Sequence, residues 1–176
     1  AYMLTSDQEY AVHCSNMANW VLLHACARGV SPTEWQRSRF PSEFQGKIEV
    51  IFDGVDTEYF KPDTAAVFTV PATGAAFSAA DEVVTYATRG MEPMRGFHQF
   101  MAAAALIQQR RPRCHIIVAG SDGAWYSKAA DGDRTHKDVL LERLPFDRAR
   151  LHFTGWLDRK RYRKLLQVST AHVYLT

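Results

Sequence analysis

The sequence predicts an α/β protein built on a parallel sheet with flanking helices. Two observations carry this reading. After residue 80, β-branched apolar runs alternate with helical apolar patterns over short links, the rhythm of strands joined by helical crossovers. In addition, three of the predicted strands run into a glycine-containing turn, at Gly90, Gly120 and Gly155. In a Rossmann-like sheet, ligands bind at such strand ends.

The elements follow in order. Ser6 and Glu9 have capping-box spacing ahead of a helix to about Ala27, and Val12, Met17, Trp20, Leu23 and Ala27 give it one apolar face. Arg28–Ser31 is a short extended piece, and Ser31-Pro32-Thr33-Glu34 opens a short helix that stops near Pro41. A strand covers Lys47–Phe52 and closes at the turn signal Asp53-Gly54. Residues 56–80 carry two prolines, many small residues and no sustained period, and are expected to be a surface connector.

Beyond the connector, strands are predicted at Val83–Ala87, Cys114–Ala119, Leu151–Phe153 and Ala171–Leu175. Helices are predicted at about Met94–Arg111, His136–Leu144, and from an Asp158 N-cap to about Gln167. Ser121–Thr135 is a long link, rich in Gly, Asp and Ser, of a length that marks a functional or mobile loop. The alternation stops at Thr176 with four strands after residue 80, where a doubly wound domain has about six. Half a domain is therefore expected, with apolar sheet surface open to self-association.

Composition bounds the function. The chain has 176 residues, 47% apolar and 23% charged, as in an ordinary globular protein. A net charge of +2, from 21 basic and 19 acidic residues, argues against a nucleic-acid binder. The basic cluster Arg159-Lys160-Arg161 with Arg163 and Lys164 reads as a solvated helix face. The odd set Cys14, Cys26 and Cys114 suggests structural thiols in a reducing compartment, so a soluble cytoplasmic protein is expected. His13, His24, Cys14 and Cys26 lack metal-ligand spacing, and no metal is expected. No GxGxxG, GxxxxGK[ST] or GxSxG occurs, which removes the strongest signals for a nicotinamide enzyme, an NTPase and a hydrolase.

The most informative segment is Thr88-Arg89-Gly90-Met91-Glu92-Pro93-Met94-Arg95-Gly96, between a strand and a helix start. Unpaired N–H groups at a helix N-terminus attract anions, and two guanidinium groups add planar donors that match phosphate. Read alone, Arg89 and Arg95 fit equally two solvent-facing arginines, one of them paired with Glu92. Gly90 and Gly96 favour close approach of the backbone to a ligand. Gly120, in Ala119-Gly120-Ser121-Asp122-Gly123, either faces the same crevice or simply makes a tight turn. Backbone groups from Gly155 to Leu157 are placed to hydrogen-bond a flat base, while the Trp156 ring is assigned to the core. His98, early in the following helix, is read as exposed.

Three segments together resemble a known family. Val50-Ile51-Phe52-Asp53-Gly54-Val55-Asp56-Thr57-Glu58-Tyr59-Phe60-Lys61-Pro62 resembles the V-I-x-[ND]-G-V-D-x-x-x-F-x-P segment of retaining, GT-B-fold glycosyltransferases of family 4. The arginine loop resembles their G-R-x-x-x-x-K-G segment, and Phe153-Thr154-Gly155-Trp156-Leu157 their nucleotide-base strand end. The resemblance implies that Arg89 and Arg95 hold the donor diphosphate and stabilise the leaving nucleotide, with Arg95 where lysine is usual. Gly155 and Leu157 would meet its base through main chain, while Gly90 and Gly120 are assigned to the donor site from their own place at the strand ends.

The resemblance also implies an organisation and partners. Residues 1–46 would end an N-terminal acceptor-side domain, 47–80 would form a strand and inter-domain connector, and 81–176 the first half of the donor-binding domain. The substrates would be a sugar nucleotide and a saccharide or lipid-linked acceptor, without a metal cofactor, and the full-length protein could associate peripherally with a membrane. An E-x7-E pair and an N-domain glycine-rich loop with its histidine are not found in these residues. The chain is therefore expected to be a truncated fragment, inactive alone. The alternative is a non-catalytic nucleotide- or phosphosugar-binding module.

Overall fold

A computed structural model describes residues 5–123 and 134–175. The chain divides into two compact units, with the boundary between Asp56 and Thr57.

The first unit contains helix α1 (Ser6–Ala25), strand β1 (Gly29–Ser31), short helices α2 (Glu34–Ser38) and α3 (Ser42–Gln45), and strand β2 (Ile48–Val50). The capping box of α1 is Thr5 with Gln8, one residue ahead of the expected Ser6–Glu9 pair. Thr5 Oγ1 accepts the Gln8 N–H at 3.3 Å, and Gln8 Oε1 accepts the Thr5 N–H at 2.9 Å. The apolar face expected for α1 is not buried: Val12 is 46% exposed and Met17 64%. β1 and β2 pair in parallel, and both lie within the first unit.

The second unit opens with a correction. Residues 67–78, expected within a surface connector, form an antiparallel hairpin of β3 (Val67–Thr69) and β4 (Ala76–Ser78). Phe68, Val70 and Phe77 are buried, and they supply what the small residues around them lack, an apolar anchor on the sheet. Pro71-Ala72-Thr73-Gly74 makes the turn, with Gly74 at φ +74° and its N–H donating to the Val70 carbonyl at 2.9 Å.

The main sheet holds β5 (Val83–Gly90), β6 (His115–Ser121), β7 (Leu151–Gly155) and β8 (Ala171–Val173), all parallel, in the order β7-β6-β5-β8. Helix α4 (Phe97–Arg110) follows β5, α5 (His136–Arg143) follows β6, and α6 (Arg159–Val168) follows β7. The expected Rossmann-like parallel sheet is present. Alternate residues of each strand feed two cores. Tyr86, Ile116 and Val118 pack with Phe97, Phe100 and Met101 of α4 and Leu140 of α5. Val83, Ile117 and Ala119 pack with Leu165 and Val168 of α6 and with the hairpin. One face is thus covered by helices and the other by a helix and a hairpin, which satisfies the need of a parallel sheet to bury both sides.

The central part of the long link, residues 124–133, lies outside the described residues, as does Thr176. Among the described residues no helix is long and apolar enough to cross a membrane.

Candidate functional site

The strand order reverses beside β5: β6 and β7 extend the sheet on one side and β8 on the other. Crossovers leave such a switch point from opposite faces, which opens a crevice beyond the strand carboxyl ends. A cavity of about 440 Å³ lies there. Its floor is the ends of β5 and β6, and its walls come from the turn before α4, the start of α6 and the residues after β8.

Local irregularities shape this mouth. In the β5–β6 ladder Ala87 opposes Ala119, and the next pair is Gly90 with Ser121, so Thr88 and Arg89 stand opposite Gly120 alone. This is a bulge, and bulges re-aim side chains at strand ends. Arg89, expected in the loop, is therefore carried by the strand itself. Its carbonyl accepts the Ser121 Oγ–H at 2.7 Å. Gly120 has φ +135°, and a Cβ there would meet the Thr88 carbonyl carbon at 3.1 Å and its oxygen closer still. Only glycine fits that approach. A second shift in the β6–β7 ladder leaves Thr154 unpaired beside Gly155.

Arg95 ends a 3-10 turn, Pro93–Arg95, held to the sheet by the Tyr86 hydroxyl, which donates to the Arg95 carbonyl at 2.6 Å. The Tyr86 ring stacks on Phe100 at 4.5 Å, and burial pushes its phenol pKa up. Gly96, at φ +68°, then starts α4 with no side-chain cap. A Cβ on Gly96 would meet Leu175 Cβ at 2.5 Å, so this glycine makes room for protein. The sequence reading had it make room for a ligand.

Of the residues singled out in the sequence, Arg89, Arg95, Gly120 and Leu157 line the cavity together. Gly90 is buried and Gly155 is exposed, and neither is part of the lining. Gly155, at φ +68°, instead ends β7. Trp156, assigned to the core, is 68% exposed and lines the cavity. His98 is half-buried rather than exposed, with its ring 5.1 Å from that of His136 and its pKa lowered chiefly by burial.

The sequence reading missed Arg159, Tyr162 and Tyr174, all of which line the cavity. Arg159 looked like one charge in a solvated run, although its place at the first turn after a strand end was the available signal. Arg159 and Arg163 both lie over the Tyr59 ring, with guanidinium carbons 4.4 and 4.5 Å from its centroid. Among the described residues the cavity lining contains three arginines and no Asp, Glu or His. The described residues contain no cluster of three or more His, Cys, Asp or Glu that could hold a metal, and the three cysteines are free. Burial raises the Cys114 thiol pKa.

Residues 1–60 match the model of the glycosyl transferase family 4 group. That match falls on the first unit and its exit, whereas the cavity lies in the second. The fold is also similar to the crystal structure of TarM, at a TM-score of 0.53 and 14% identity. The likeness covers 84% of this chain and 24% of that one, so the chain spans about a quarter of the protein it matches. No curated protein matches the chain.

Proposed function

We propose that the cavity is the donor subsite of a retaining glycosyltransferase, holding a sugar nucleotide by its diphosphate. The observation that carries this is the convergence of Arg89 and Arg95 on one cavity at the carboxyl ends of parallel strands. Two guanidinium groups beside an uncapped helix start provide charge and planar donors for a diphosphate. As the sugar departs, negative charge grows on the leaving nucleotide, and fixed cations stabilise it most at that moment. The basic pair takes this role in place of a divalent metal. Trp156 and Leu157 give an apolar surface for the base, and Gly90, Gly120 and Gly155 shape the strand ends around the donor. The acceptor is a saccharide or a lipid-linked saccharide, used on the cytoplasmic side.

Titration calorimetry with UDP- and GDP-sugars tests the assignment. The chain binds at least one of them, and Arg89→Ala with Arg95→Ala abolishes binding while the fold, followed by circular dichroism, is retained. Unchanged affinity in that double variant refutes it.

A second reading has its own support. The described lining contains no carboxylate or imidazole to serve as a base, which favours a chain that binds donor without turning it over. Measuring sugar release and transfer alongside binding separates the two: binding without product fits the non-turnover reading, and product formation overturns it.

A further inference from the structure

We propose that helix α1 is a self-association surface, pairing antiparallel with α1 of a second copy of the chain. The proposal does not rest on the donor-site reading, since α1 belongs to the first unit and the cavity to the second. None of the 20 residues of α1 is buried. One side is occupied: the Trp20 and His24 rings meet the buried Phe44 ring edge to face at 5.3 and 4.8 Å, and Lys47 Nζ donates to the Cys26 carbonyl at 2.9 Å. About a quarter turn from Trp20 runs a second stripe, Tyr10, Cys14, Met17 and Val21. Its steps of four, three and four residues are those of a coiled-coil seam. Tyr10 is 72% exposed, Met17 and Val21 are each 64% exposed, and Cys14 is exposed as well. Ala11, Ala18 and Ala25 flank the stripe, and side chains that small let two helix backbones approach closely.

Charge at the two ends of α1 sets the direction of its partner. Asp7 and Glu9 lie in the first turn and His24 in the last, where Lys47 adds a cation. A parallel pair would set Asp7 against Asp7 and align the two helix dipoles. An antiparallel pair sets the acidic end of each helix against the basic end of the other and opposes the dipoles. A two-fold axis through the middle of the helix, between Ser15 and Asn16, then brings Cys14 against Met17, Tyr10 against Val21 and Asp7 against His24, each contact made twice. The stripe is thus complementary to itself, as a two-fold dimer requires. A single helix pair is a small interface, so the dimer is weak, with a dissociation constant on the order of 100 μM.

The test is sedimentation equilibrium of the chain from about 1 μM to 1 mM, a range that brackets that value. A reversible monomer–dimer equilibrium is expected. Met17→Lys, which sets two cations beside the axis, weakens the dimer at least about tenfold and leaves the circular dichroism of the monomer unchanged. Tyr10→Glu and Val21→Lys each weaken it too. The double variant sets Glu against Lys on both sides of the axis, and it dimerises more tightly than either single variant. Only this register produces that recovery, and loss of folding cannot. A double variant weaker than both singles overturns the inference, as does a monomer throughout the range. Species larger than a dimer also overturn it, and so does a dimer that Met17→Lys leaves unchanged, since another surface would then join the copies.

Discussion

Gly120→Ala is the sharpest test of how this sheet makes its mouth. The added methyl group would overlap the carbonyl of Thr88, a backbone group pinned by the ladder on both sides of the bulge. A flexible side chain could move away; this carbonyl cannot. The backbone is also at φ +135°, where side-chain-bearing residues are strained by about 1–3 kcal/mol. Overpacking adds about 1–3 kcal/mol. The sum is at least about 2 kcal/mol, which lowers Tm by roughly 4–8 °C or more for a chain of this size.

Two other glycines calibrate the measurement. Gly155 has φ +68° with nothing within 4 Å of an added Cβ, so Gly155→Ala carries backbone strain alone, about 1 kcal/mol. Gly46 has φ −66° and open space, so Gly46→Ala changes stability by no more than about 0.5 kcal/mol or raises it slightly. Urea unfolding followed by far-ultraviolet circular dichroism should rank the losses Gly120, Gly155, Gly46. Because the Thr88 approach also sets the Arg89 bulge, nucleotide affinity should fall with Gly120→Ala and not with Gly46→Ala. A Gly120→Ala protein no less stable than Gly155→Ala refutes the close-approach reading.

Three further outcomes are expected. The pKa values of His98, His115, His152 and His172 are all lowered, chiefly by burial, and His115 Nδ1 lies 3.1 Å from His152 Nε2. Above pH about 6.5 both the folded and unfolded chains hold them neutral; below it the unfolded chain takes up protons first, so stability falls with pH. The urea midpoint should therefore drop between pH 7.5 and 5.5, less steeply in His115→Asn; a flat midpoint refutes this. Trp156→Ala should leave the unfolding free energy from urea titration within about 0.5 kcal/mol of wild type, since the ring is 68% exposed, yet weaken GDP and UDP measurably by calorimetry. Asp158 Oδ1 accepts the Arg161 N–H at 2.7 Å as the N-cap of α6, so Asp158→Ala should cost about 1 kcal/mol in urea unfolding.

The four strands of the main sheet were legible because each is a run of apolar or β-branched residues between turn signals, and burial on both faces demands such runs. The hairpin at residues 67–78 was not. Each of its strands has three residues, too few to show a period, and only Phe68, Val70 and Phe77 tie it to the core. The arginine pair was visible as chemistry, but its placement depended on a bulge, a tertiary feature that no local pattern encodes. Trp156 was misassigned because a large ring next to a strand is ordinarily core; here the left-handed turn at Gly155 carries the chain out of the ladder first. Arg159 was hidden inside a basic cluster, and only the topology singles it out as the one that lines the cavity.

The bulge at Thr88–Arg89 also has a bearing on how this region tolerates change in length. Side chains along a strand alternate in parity, so Val83, Thr85 and Ala87 share one side, and an unbroken ladder would put residue 89 on that side too. The unpaired position resets the count. Removing one residue there would leave the pairs up to Ala87 with Ala119 untouched, and the sheet would still form, while every side chain beyond would exchange faces. Single-residue deletions at this point should therefore separate folding from binding: the scaffold keeps its register and the arginine is delivered to the wrong side.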